Sequence, residues 1–301
     1  MTGHKAAVAI FVYNRRDSAY NLLQSIQSLK ACDNRDYYIF SDGGKNLLDW
    51  VKVQEVRTII KKFVDLKAKV FERDRNLGLA NSVISGVSLI LEKHESVIVL
   101  EDDLALSEDF FIYMDRCLEI HRNQSEILAI CGYSWRFSVT QGDTYTSERF
   151  NSWGWAIWAD RWSSIEWDLA DVKLREVRRD VKKAGSDIFA MVKAQKRNKI
   201  DSWAVRMVLF QSRNKLVSVH PKISRSTNLG LNNSGTHSKY SLRYKSELNT
   251  SQSAQLQPFS TVRPSLFNQI CLRLLHSYPL RLVDYLYNWC KQLLQHTGYS
   301  K

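Results

Sequence analysis

Val97-Ile98-Val99-Leu100-Glu101-Asp102-Asp103 decides how this chain is read. Four apolar residues follow one another without a polar break, and three carboxylates follow at once. An unbroken apolar run bounded by polar residues marks a strand covered on both faces, as in a parallel sheet. Carboxylates set side by side repel and raise one another's pKa, so a bare cluster is costly. A divalent cation reverses that cost. Carboxylate oxygens suit Mn²⁺ or Mg²⁺, which are often held by one or two protein carboxylates together with substrate phosphates. An acidic triplet on an ordinary loop is simply solvated. At the end of a buried strand it stands where open α/β sheets bind ligands.

Working outward, strand and helix signals alternate. Ala7 to Val12 is a second continuous apolar run, read as the first strand rather than as a secretion signal. Ser18 to Leu29 has helical spacing, with Leu22, Leu23, Ile26 and Leu29 on one side. Tyr37 to Phe40 is a strand closed by Ser41-Asp42-Gly43-Gly44, Val51 to Val64 a helix, and Val70 to Phe71 a short strand. Asn76-Leu77-Gly78-Leu79 opens a helix running to about Leu91, and Phe110 to His121 is helical. Such alternation predicts βαβ units: an α/β fold with a mostly parallel sheet flanked by helices. Beyond it lie a Trp-rich stretch from Phe150 to Trp167, a basic helical stretch from Leu174 to Lys199, a short strand from Val217 to Val219, and a Gly/Asn/Ser loop from Asn228 to His237.

The composition narrows the class. With 301 residues, 44% hydrophobic and 25% charged, the chain is neither disordered nor fibrous. No run approaches the ~20 apolar residues of a membrane span. The five cysteines include no CxxC pair, which disfavours a disulfide scaffold or zinc ribbon and fits a reducing compartment. A formal charge of +12 raises nucleic acid, an anionic membrane surface or a phosphorylated substrate as partners.

The residues that end the first two strands extend the site. Arg15 is placed to contact a base or phosphate, Asp42 to accept hydrogen bonds from a base or ribose, and Gly43 and Gly44 to let a ligand approach the backbone. With the acidic triplet they outline a nucleotide pocket with a metal.

Phe11-Val12-Tyr13-Asn14-Arg15, Phe40-Ser41-Asp42-Gly43, Asn76-Leu77-Gly78-Leu79 and Leu100-Glu101-Asp102-Asp103-Leu104 together resemble the GT-A fold of nucleotide-sugar glycosyltransferases. Glu101-Asp102-Asp103 stands at the place of that fold's metal-binding DXD motif. Val99 to Tyr113, Gly154-Trp155, Asp201-Ser202-Trp203 and Val219 to His237 are similar to the N-acetylglucosaminyltransferase I-like family and to bacterial transferases of polysaccharide synthesis. The matches keep one order from about residue 7 to 240.

The resemblance implies a role for each matched position. Asp103 would bind the metal, Asp102 lie near the ribose, and Glu101 lie near the transferred sugar; Asp42 and Arg15 would hold the base. The family's general base is an aspartate in an Asp-Asp-Trp segment. Here Asp201 is the acid of that segment, but alignment on Trp203 puts Ser202 at the base position, leaving Asp160 and Glu166 as fallbacks. The resemblance also implies a single displacement with inversion, on a UDP-sugar such as UDP-N-acetylglucosamine. The acceptor would be a surface glycan or lipid-linked glycan at the cytoplasmic face of the cell membrane.

Other expectations complete the reading. Trp155 and Trp203 are candidates for a wall against which a sugar stacks. Gly230 and Gly235 suit a lid, His237 could ligate the metal or touch the pyrophosphate, and Arg225 could meet phosphate. Residues 1–240 would form the catalytic domain, 241–262 a polar linker, and 263–301 a basic amphipathic helical tail. That tail, with Leu266, Ile270, Leu274, Leu286, Arg273, Arg281 and Lys291, would either lie on an anionic membrane or pack on the domain. Two other classes are weaker. A sugar-nucleotide nucleotidyltransferase should carry a Gly-rich loop after its first strand, where Tyr13-Asn14-Arg15-Arg16 stands instead. A nucleic-acid-binding protein should show a recognised module, and none is visible.

Overall fold

The computed structural model describes residues 5–29, 34–135, 139–140, 142–232, 242–244, 246–250 and 263–296. The first half runs β1 (Ala7–Val12), α1 (Arg16–Leu29), β2 (Tyr37–Ser41), α2 (Leu47–Ile60), β3 (Lys69–Glu72), α3 (Leu79–Leu91), β4 (Ser96–Glu101), β5 (Leu104–Leu106) and α4 (Phe110–His121). There follow β6 (Ile127–Cys131), β7 (Thr144–Ser147), β8 (Trp155–Trp158), α5 (Ala159–Ser163), α6 (Leu174–Asp180), α7 (Ser186–Lys196) and α8 (Trp203–Arg213). Last come β9 (Val217–Pro221), β10 (Ser226–Asn228), α9 (Leu266–Leu275) and α10 (Tyr278–His296).

Eight strands form one sheet in the order β3-β2-β1-β4-β8-β6-β9-β7. The pairs β1–β2, β1–β4, β2–β3 and β6–β9 are parallel, while β8 and β7 run against their neighbours. The expected α/β architecture, a mostly parallel sheet flanked by helices, is therefore what the chain adopts. β1 shows why. All six of its residues are buried. Val8, Ile10 and Val12 face a core shared with α1, α2 and α4. Ala7, Ala9 and Phe11 face a second core with α3, α7 and α8. A strand covered on both faces leaves no room for polar alternation.

The second half departs from the sequence reading in two places, and in a third it takes up one of the alternatives that reading held open. The Trp-rich segment contributes a strand, β8, inserted antiparallel between β4 and β6. The basic stretch from residue 174 is broken between α6 and α7, where Gly185 takes φ +122, a value that only glycine adopts without strain. The start of the C-terminal segment packs on the domain. Leu272 and Leu275 of α9 join Tyr133, Trp135 and Tyr145 in a third apolar cluster. His237 and most of the expected linker, residues 241, 245 and 251–262, lie outside the described residues. Among the described residues no helix is long and apolar enough to cross a membrane. Cys117 and Cys131 are buried free thiols.

Candidate active site

The carboxyl ends of β1, β2 and β4 lie side by side, because Val12 pairs with Ser41 and Phe11 pairs with Glu101. The residues just past those ends therefore converge. Tyr13, Arg15, Asp42, Glu101, Asp102 and Asp103 line one wall of a cleft of about 490 Å³, within the usual range for a small-ligand site.

Arg15 reaches across from β1 to the acidic triplet. Its Nη1 donates to Asp103 Oδ2 at 3.0 Å and its Nη2 donates to Asp102 Oδ1. The Tyr13 backbone N–H donates to the other Asp102 oxygen at 3.4 Å. Burial raises the Asp102 carboxyl to about 6, against the opposing charge of Arg15. Burial, then repulsion from Asp103 and Asp102, raises Glu101 to about 8. One guanidinium thus stands against three carboxylates.

Three buried side-chain oxygens of cleft-lining residues have no hydrogen-bond partner among the described residues, Ser82 Oγ, Asp103 Oδ1 and Asn228 Oδ1, and the last two lie on adjoining segments. The Leu229 N–H to Asp103 O bond of 2.8 Å ties those two segments together. A buried acceptor without a donor is costly. The Asp103 and Asn228 oxygens, one of them a carboxylate's, are the donor type that a hard divalent cation takes. Among the described residues no three His, Cys, Asp or Glu side chains converge as a ready-made metal centre. The fit is to a cation whose remaining ligands come from phosphate and water.

Asp42 lines the cleft but its carboxylate is already engaged. It accepts from the backbone N–H of Gly43 (3.0 Å), Leu77 (2.9 Å) and Gly78 (3.0 Å) and from Asn76 Nδ2 (3.1 Å). It clamps the loop that enters α3. Gly43 is needed there, since a Cβ on it would lie 2.5 Å from the Arg75 backbone carbon. Asp49, N-capped by Asn46, braces the same wall by accepting from Tyr13 Oη at 2.9 Å and Asn14 Nδ2 at 3.0 Å.

Asp201 borders the cleft without lining it. Its Oδ1 accepts from Arg206 at 2.6 Å, and its Oδ2 lies 3.9 Å from where a Cβ would stand on Gly78, a lining residue. Ser202 caps α8 by accepting from the Val205 N–H at 3.3 Å. Neither fallback acid reaches this place. Asp160 follows β8, and because β8 is antiparallel, Trp158 pairs with Ser96 at the far end of β4. Glu166 lines a separate cleft with Asp168 and Arg206.

Two other expectations are corrected. Trp155 and Trp203 do not line the cleft. They are buried and stack on each other at 5.0 Å in the core behind it. The aromatic wall is built instead from Trp135, Phe150, Trp153 and Tyr244. Arg225 is buried too. It donates through Nε to Asp109 Oδ2 at 2.8 Å and through Nη1 to Ile223 O at 2.7 Å, and it does not line the cleft. Sequence reading also passed over Arg149, whose guanidinium donates to both oxygens of Asp187 at 2.8 and 2.9 Å while lining the cleft. Burial alone would raise the Asp187 carboxyl; Arg149, with His276 beside it, holds it well below the usual carboxylate range. A partner 38 residues away leaves no local signal.

The fold and the cleft define an open α/β protein with an acidic, nucleotide-sized site at its strand ends. No protein-family model and no curated protein matches the chain. Solved structures do. The mannosyltransferase PcManGT from Pyrobaculum calidifontis, in complex with GDP-Man and Mn²⁺, is 11% identical over 70% of this chain and 70% of its own, with TM-score 0.40. GalNAc-T7 with UDP, GalNAc and Mn²⁺ is 10% identical over 76% of this chain, which spans only 44% of that one, with TM-score 0.49. Glucosyl-3-phosphoglycerate synthase from Mycobacterium tuberculosis is 11% identical over 52% of this chain and 58% of its own, with TM-score 0.35.

Proposed function

We propose that this chain is a metal-dependent, inverting glycosyltransferase of the GT-A type. It moves a hexosyl or N-acetylhexosaminyl group from a UDP-sugar, such as UDP-N-acetylglucosamine, to a hydroxyl of a surface-glycan or lipid-linked acceptor. The observation that carries this reading is the convergence, in one cleft, of Arg15, the loop clamped by Asp42, and the triplet Glu101-Asp102-Asp103, with Asp103 Oδ1 and Asn228 Oδ1 lacking donors.

Asp103 and Asn228 would hold Mn²⁺ or Mg²⁺, which when bound neutralises the diphosphate of the departing nucleotide. Arg15 offsets the charge of Asp102 and Asp103 and keeps both carboxylates oriented. The Asp42 clamp presents the Leu77–Gly78 backbone as a floor for the base. Glu101, whose carboxyl is raised by burial, can hold a proton and donate a hydrogen bond to a sugar hydroxyl. Asp201 is the general base. Arg206 fixes one of its oxygens, and Oδ2, on the Gly78 side, takes the acceptor proton as the new C–O bond forms and the bond to the diphosphate breaks. The aromatic wall of Trp135, Trp153 and Tyr244 supplies a face for a sugar ring and excludes water that would waste the donor.

The test is a thermal-shift screen of nucleotide sugars with and without Mn²⁺, followed by UDP release. A ligand that binds only the native state raises the midpoint. Wild type should shift with UDP and Mn²⁺ together, and Asp103→Ala should lose both the shift and turnover. Undiminished turnover in Asp103→Ala would end the metal reading, and no shift with any UDP-sugar would end the donor reading.

A further inference from the structure

Helix α9 is apolar on two opposite sides. One side, Asn268, Leu272 and Leu275, is buried against the domain. The other carries Leu266, Phe267, Ile270 and Leu274, and Phe267 and Leu274 remain 56% and 58% exposed. At about 100° per residue these four cover an arc facing away from the buried side. A helix that is packed on one side and still shows an apolar stripe on the other has a face for a second apolar partner. The described part of α10 continues the exposed surface with Tyr278, Leu282, Val283, Tyr285 and Leu286; Tyr278 is 67% exposed. Single exposed apolar residues need no explanation, but nine of them on two consecutive helices do.

The charge on the same segment identifies the occupant. Residues 263–301 hold five basic residues, Arg263, Arg273, Arg281, Lys291 and Lys301, and one acid, Asp284. That acid is buried and ion-paired with Arg243, so it does not offset the positive surface. Arg263 and Arg273 are exposed beside the apolar residues. A second copy of the chain docked here would set like charges against each other. Apolar side chains, flanking arginines and tyrosines on a helix surface are instead what an anionic bilayer takes.

We propose that the outward face of α9 and the start of α10 docks on an anionic lipid surface. The two alternatives for this tail then hold together, because one side of α9 packs on the domain while the other meets lipid. The junction of the two helices also ties the docked surface to the cleft. His276 lies edge-on to Trp135 at 5.0 Å and 5.8 Å from Tyr244, and both rings line the cleft. Docking would hold the aromatic end of the cleft at a set distance from the bilayer, where a lipid-linked acceptor presents its sugars. The docking itself does not depend on the glycosyltransferase reading.

The experiment is co-sedimentation of the full chain with vesicles of phosphatidylglycerol and phosphatidylethanolamine, against vesicles of phosphatidylcholine alone. Wild type should pellet with the anionic vesicles, less so at high salt, and should stay in solution with phosphatidylcholine. Phe267→Ser/Ile270→Ser/Leu274→Ser should weaken binding at least tenfold while keeping the wild-type melting midpoint and its response to UDP with Mn²⁺. Arg263→Glu/Arg273→Glu should lose the preference for anionic lipid. The proposal is overturned if wild type ignores anionic vesicles or if the triple variant binds them like wild type. It is equally overturned if light scattering shows a dimer that the triple variant dissolves without any change in vesicle binding.

Discussion

Replacing Arg149 by Met removes the guanidinium that pairs with Asp187. In the wild type, Arg149 makes two hydrogen bonds to that carboxylate and a third, at 2.8 Å, to Ala184 O. The two side chains are 8% and 11% exposed, so water does not replace what is lost. Breaking a buried pair from one side costs about 3–5 kcal/mol, because the remaining charge stays buried. That is a large part of the about 5–15 kcal/mol that holds a typical domain together. The neighbourhood adds a signature that simple loss of packing lacks. Burial, then the charge of Arg149, lowers the His276 imidazole to about 4, although its Nδ1 stands 3.5 Å from Asp187. Without Arg149 one cause of that lowering is gone, so His276 takes up a proton more readily as pH falls and pairs with the stranded carboxylate. Equilibrium urea unfolding at pH 7.5 should therefore show a deficit of about 3–5 kcal/mol, and at pH 5.5 a smaller one. The double variant Arg149→Met/Asp187→Leu should regain most of the loss, since apolar replacement of both partners is often neutral. A single-variant cost below about 1 kcal/mol, or a double variant as unstable as the single, would refute the reasoning.

Three further outcomes are expected. Asp201→Asn should lower kcat by about 10²–10⁴-fold with an unchanged melting midpoint, whereas Ser202→Ala should lose about 1 kcal/mol of stability through the α8 cap and leave kcat near wild type; steady-state kinetics and urea titration separate the two. Gly43→Ala should cost about 1–3 kcal/mol in urea unfolding and weaken UDP binding, because the added methyl meets backbone that cannot yield. The part of the stability that His276 contributes should fall as pH drops from 6.5 towards 4, because burial holds His276 at about 4 in the fold against an ordinary 6.5, and the unfolded chain takes up the proton first; the loss is at most about 3 kcal/mol, read as the change across that window in the urea-unfolding difference between wild type and His276→Phe.

How much of this was legible follows from what each signal depends on. The strand ending in Glu101 could be read because burial on both faces writes an unbroken apolar run, and the cleft followed because strand ends converge in such a sheet. β7 could not be read that way, since Thr144-Tyr145-Thr146-Ser147 carries no apolar run although all four residues are buried in the sheet. Trp155 and Trp203 were misplaced for a different reason. A tryptophan count does not say which face of an element looks into a cleft, and β8 and α8 turn these two rings into the core. Arg225 was taken for a phosphate contact because its partner, Asp109, lies 116 residues away in the chain. The same distance problem hid Arg149 and Asp187. Asn228 went unnoticed as a site residue because an amide carries no charge, and only the closed ladder of β10 with β5 brings it beside Asp103.

The antiparallel insertion of β8 also governs the order in which the molecule can be completed during synthesis. β4 emerges at residues 96–101, but the neighbour on its free side is residues 155–158. Until that segment leaves the ribosome, this strand, with its run of four buried apolar residues, has an unsatisfied edge, the kind of edge that templates aggregation. β6 waits for the same segment, and on its other side for residues 217–219. Four residues, Trp155-Ala156-Ile157-Trp158, thus act as a keystone that locks two half-built sheets at once.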